Sequence, residues 1–149
     1  MKPVRTWILI ADGGRGRIVE NAGPGRGVHP ANDMEFQAEL PKNRDIFSDR
    51  PGRSVEAAGY ARLSKEEPFD PHRELKRRFA AKLCGVLDRK LAERAFDRLV
   101  LVAPPATMGD LRASLSEQVR ARVSAELVAD LTKVPINKLD QHLAEVIAV

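Results

Sequence analysis

An α/β fold built on a mixed five-stranded sheet is what this sequence predicts, and three features predict it. Two short, wholly apolar runs, "WILI" at 7–10 and "LVLVA" at 99–103, read as strands buried on both faces. Between them, helical periodicity extends from about residue 70 to residue 93. Glycine-rich turn chemistry and a clean period-two alternation follow the first run, so the early strands succeed one another directly.

The elements follow in order. Trp7 to Ile10 is apolar on both parities, which places it in the middle of a sheet. Asp12, Gly13, Gly14 and Arg15 supply a turn in which glycine accepts the positive φ of a tight hairpin, and Arg17 to Glu20 returns as the second strand. "NAGPGRGVHPAN" (21–32) reads as a Gly/Pro loop. Met34, Phe36, Ala38 and Leu40 then alternate with Glu35, Gln37 and Glu39, the signature of a half-buried third strand.

Residues 41–69 show no periodicity, an unusual length of connection for a compact domain. Asp70 and Pro71 open a long helix as N-cap and first-turn proline. Leu75, Phe79, Leu83, Val86, Leu87 and Leu91 recur along it at helical spacing. Leu99 to Ala103, stopped by two prolines, reads as a parallel strand. A short helix over 107–115, a turn beginning at Ser116, a strand within 123–131 and a last helix from Pro135 to about Ile147 complete the chain. Three antiparallel strands followed by two crossover units, right-handed by rule, give the element order of ribonuclease H-like folds.

Composition narrows the function classes. The 149 residues are 43% hydrophobic and 31% charged with a net charge of +4, so a folded, mildly basic domain is expected over 1–149. Cys84 is the single cysteine, which excludes an internal disulfide framework. "MKPVRTWILIADGG" is too short in its apolar part for a signal peptide, and no run approaches a membrane span, so a cytoplasmic protein is expected.

"ADGGRGRIVEN" is the stretch most easily mistaken for a nucleotide loop. Gly14 and Gly16 match two glycines of a dinucleotide fingerprint, but Val19 stands where the third belongs and no Gly-Lys-Ser/Thr follows. It is therefore read as a hairpin, with Arg15 and Arg17 as cations near its tip. Metal-dependent phosphodiester cleavage needs clustered carboxylates, and neither apolar strand carries one inside it. Asp12 and Asp130 stand at strand ends only. His29, His72 and His142 lack ligand spacing, so neither a metal nor a cofactor is expected. Cys84, beside Leu83 and near Val86, is read as a buried inert thiol.

The long connection holds the remaining chemistry. It carries Arg50, Arg53, Ser54 and Arg62, with His72 and Arg73 at the adjoining helix start. Arginines beside glycine and serine grip phosphate through paired donors, and Phe47 and Tyr60 are able to stack on bases. Acids such as Asp45, Asp49, Glu66 and Glu67 make the segment mixed in charge, not a basic tract.

Taken together, "ADGGRGRIVE", "PGRS", "DPHRELKRRFAAKL", "FDRLVLVAPPATMGDLRASL" and "DLTKVP" resemble the bacterial family described as proteins required for attachment to host cells. That family in turn resembles the middle domain of archaeal and eukaryotic peptide-chain release factors, where a Gly-Gly-Gln loop precedes the long helix. The matching stretch here, Pro51 to Ser54, has no glutamine, which speaks against peptidyl-tRNA hydrolysis. The resemblance leaves RNA or the ribosome open as a partner, and the long arginine-bearing loop beside a helix N-terminus points to a non-catalytic module that contacts such an anionic partner. Arg15, Arg17, Arg50, Arg53, Ser54, Arg62, His72 and Arg73 are its candidate contacts. Two other readings stay open: an ester hydrolase using Asp12, His72 and Asp130, and a surface adhesin.

Overall fold

A computed structural model describes residues 4–38 and 72–147. Its strands are β1 (Thr6–Ala11), β2 (Arg15–Asn21), β3 (His29–Gln37), β4 (Arg98–Ala103) and β5 (Val123–Val128). Its helices are α1 (Arg73–Ala92), α2 (Pro105–Ser114), α3 (Glu117–Arg120) and α4 (Ile136–Leu143). The described strands lie in the order β3-β2-β1-β4-β5, antiparallel from β3 to β1 and parallel from β1 to β5. The predicted mixed sheet is therefore present, with the apolar strand at its centre. Ile8, Leu9 and Ile10 are wholly buried. Each such side chain contributes roughly 1.5–3 kcal/mol by leaving water.

The two parities of β1 feed two cores. Trp7, Leu9 and Ala11 meet Phe79, Leu83 and Leu87 of α1 and Met108 and Leu111 of α2. Ile8 and Ile10 meet Val100 and Val102 of β4 and Leu139 and Leu143 of α4. Trp7 also stacks on Phe96, ring centroids 5.0 Å apart, while its Nε1 donates to Glu20 Oε1 at 3.0 Å. Cys84 is buried within the α1 core, as the sequence predicts.

Several boundaries move, each for a physical reason. The loop predicted over 21–32 contracts to 22–28, because Glu20 pairs with His29 and Val19 with Pro30. His29 is thus a strand residue, and Pro30 is tolerated because β3 stands at the edge of the sheet among the described strands. α2 begins at Pro105, where a missing N–H costs nothing. Ser116 caps α3, its Oγ accepting from Val119 N at 3.2 Å. β5 alternates in burial as predicted but stops at Val128, and α4 ends at Leu143, earlier than expected. The predicted N-cap Asp70 lies outside the described residues; His72 occupies the N-cap position of α1, without a capping bond from its side chain.

The hairpin after β1 is real, but its predicted mechanism is not. Among the described residues, the glycines with left-handed φ are Gly23, Gly25 and Gly27, all in the next loop. Gly13 and Gly16 answer to close approach instead. A Cβ on Gly13 would stand 2.9 Å from Lys76 Cδ, and one on Gly16 would stand 3.1 Å from a Leu83 methyl. Helix α1 lies directly on the hairpin, and glycine makes room for it.

Candidate functional site

Asp12 closes the β1–β2 hairpin. Its Oδ1 accepts from the backbone N–H of Gly14 at 2.8 Å and of Arg15 at 2.7 Å, while its own N–H donates to Arg15 O. This local acceptor geometry is the habit of aspartate in turns. Asp12 Oδ2 faces the segment after β5, where Thr132 Oγ1 lies 3.2 Å away. The same hydroxyl lies 2.8 Å from Asp130 Oδ1, which also accepts from Thr132 N. Asp12 and Asp130 thus meet through one threonine at the carboxyl ends of β1 and β5.

Arg17 ties the same segment from the other side. Its Nη2 donates to Leu131 O at 2.7 Å and to Val134 O. Burial lowers the Arg17 guanidinium from its ordinary value, opposed by Glu35, its register partner on β3. Arg17 is consequently a half-buried brace, and its buried Nε is without a hydrogen-bond partner among the described residues. Arg15, one pleat away, is exposed at the hairpin tip.

The start of α1 adjoins this hairpin through Lys76, whose stem packs on Gly13 and whose N–H donates to His72 O. Arg73 reaches away from it. Its two terminal nitrogens bond both oxygens of Asp110 on α2, at 2.7 and 2.6 Å, with the carboxylate only 11% exposed. Arg50, Arg53, Ser54 and Arg62 lie outside the described residues.

The structure therefore brings Arg15, Arg17, Asp12 and Asp130 to one end of the sheet and anchors Arg73 to α2. Among the described residues no three His, Cys, Asp or Glu side chains form a group able to hold a metal ion, so His72 does not complete such a set with the two aspartates. Sequence reasoning missed Thr132 and Asp110. The Asp-x-Thr spelling at 130–132 was a usable turn signal for the first; nothing local marks the second.

A family model described as "Protein required for attachment to host cells" matches residues 7–143. The chain belongs to this family. The match takes in the described strands and helices from Trp7 of β1 to Leu143 of α4. No curated protein matches this member of the host-attachment family. Among its described residues, no helix is long and apolar enough to cross a membrane.

Proposed function

We propose that this host-attachment family protein is a cytoplasmic, non-catalytic module, folded as one domain, that holds RNA or the ribosome at the hairpin end of its sheet. Attachment is then an indirect consequence of its action. One relationship carries the reading. Both described ends of the connection between β3 and α1 converge on the same turn: Ala38 N donates to Gly14 O at 2.8 Å, and Lys76 packs on Gly13. Ala38 and Lys76, which flank in sequence the segment containing Arg50, Arg53 and Arg62, are both held at the hairpin that presents Arg15.

The acids nearby are committed to structure. Asp12 accepts two backbone N–H groups, and Asp130 fixes the Thr132 turn. Those bonds suit turn building better than proton transfer, which needs a lone pair free for substrate. That weighs against the hydrolase reading, even though Asp12 and Asp130 do meet. The likeness to release-factor middle domains points to the same class of partner and stands as part of the proposal.

Phosphate contacts release counterions, so association with purified ribosomes or total RNA is expected to weaken steeply with salt. Arg50, Arg53 and Arg62 changed together to Glu, and Arg15→Glu alone, are expected to lower affinity and flatten that slope. Unchanged binding by the triple variant at low salt overturns the reading.

A further inference from the structure

At the opposite end of the sheet, a cleft of about 600 Å³ opens beneath the end of α4. That volume lies within the range of small-molecule sites, roughly 300–1,000 Å³. Thr6, Asn21 and Arg98 come from neighbouring strands in register, Thr6 paired with both of the others. The loop after β2 supplies Arg26, and Val4, Val146 and Ile147 form an apolar side.

Three of the polar groups that line the cleft are left available to an occupant. Thr6 lines the cleft, and its hydroxyl makes no hydrogen bond to another described residue. Arg26 and Arg98, both exposed, likewise make no ion pair with another described residue. The acid next to Arg98, Asp97, is taken by Arg5, whose N–H donates to it at 2.9 Å and whose Nε lies 3.7 Å away. Asp140 approaches the loop at Gly27 but is not in ion-pair contact with Arg26.

The loop is also held in shape before anything binds. Asn21 Nδ2 donates to Gly27 O at 2.6 Å, its Oδ1 accepts from Gly23 N, and Arg26 N closes a turn onto Gly23 O. Left-handed φ values of 78° at Gly25 and 66° at Gly27 allow this path. Arg26 therefore stands on a braced loop facing the strand that carries Arg98.

We infer that this cleft is a binding site for a small organic anion, a phosphate or carboxylate head on an apolar body. The guanidinium groups of Arg26 and Arg98 and the Thr6 hydroxyl take the head, and Val4, Val146 and Ile147 take the body. Guanidinium forks match both kinds of oxyanion, which is why the head is named by its shared chemistry.

The test is an amide-resolved NMR titration of the full chain with hexyl phosphate, hexanoate, hexanol and inorganic phosphate. Hexyl phosphate or hexanoate is expected to shift the amides of Gly23, Arg98, Ser124 and Ile147 together, and whichever binds more tightly names the head. Hexanol and inorganic phosphate, each lacking half of the ligand, are expected to bind at least about tenfold more weakly, since a charge-assisted bond or a buried chain carries that much. Arg98→Ala and Arg26→Ala are each expected to weaken binding about tenfold or more. Thr6→Val, which keeps the shape, should weaken it severalfold, and Arg15→Glu at the far end should leave it unchanged. Arg26 lies on a loop, so its variant tests the site even where Arg98→Ala perturbs β4. Hexanol binding as tightly as both anions, or equal binding by wild type and Arg26→Ala, overturns the inference.

Discussion

Thr132 Oγ1 and Asp12 Oδ2 share a hydrogen bond of 3.2 Å across 120 positions of sequence. It fastens the segment entering α4 to the hairpin leaving β1, and Arg17 fastens it a second time through Leu131 O and Val134 O. The carboxyl ends of β1 and β5 are thereby tied together by a strap.

If Asp12 serves structure, its shape matters more than its charge. Asp12→Ala removes the acceptor for Gly14 N, Arg15 N and Thr132, and is expected to cost roughly 1–3 kcal/mol in denaturant unfolding. Asp12→Asn keeps the Oδ1 acceptor and should lose less than half as much. A double-mutant cycle of Asp12→Ala with Thr132→Val is expected to give a coupling of about 0.5–1.5 kcal/mol. A coupling indistinguishable from zero means that the strap bond does not form in solution.

Two glycines are expected to respond to alanine in opposite directions. At Gly16 an added Cβ meets the Leu83 methyls at 3.1 and 3.2 Å, and Leu83 is only 1% exposed, with little room to yield. Gly16→Ala should therefore destabilise by roughly 1–3 kcal/mol. Leu83→Val should recover part of that loss, so that the pair costs less than the sum of the single changes. Gly109 on α2 has open space around its Cα, and Gly109→Ala should stabilise by about 0.5–1 kcal/mol. Equal thermal shifts of one sign at both positions would contradict the packing account.

Features that depend on a few neighbouring residues were legible in the sequence. The doubly apolar β1 and the alternation of Met34 and Phe36 are local patterns, whereas the start of α2 at Pro105 was read two residues late, at Thr107. The start of β3 was not legible, because His29 and Pro30 become strand only by pairing with Glu20 and Val19. Gly13 and Gly16 looked like turn glycines because nothing nearby announces that α1, some 60 residues later, lies against them. Arg73 looked like a free cation for the same reason: its partner Asp110 is 37 positions away. The cleft of Thr6, Arg26 and Arg98 joins three elements, none of which carries a motif.

Cys84 offers a pH-resolved check on the α1–α2 core. Burial pushes its thiol up to about 12, with Asp88 adding to the effect, and its Sγ lies 3.6 Å from Leu111 O as a donor. An ordinary thiol titrates near 8.5. The folded protein thus holds the proton through a range in which the unfolded chain releases it. The contribution of that proton to stability is fully present below about 8.5 and is lost progressively as pH rises toward about 12. Between pH 8.5 and 10, the unfolding free energy of wild type should therefore fall more steeply than that of Cys84→Ala, in which no thiol titrates. Iodoacetamide at pH 8 should label the native protein about a thousandfold more slowly than the chain in guanidinium chloride, because the thiolate is the reacting species. Rapid labelling of native protein, with pH profiles of wild type and Cys84→Ala that run parallel, would place the sulfur in water and open the packing between α1 and α2.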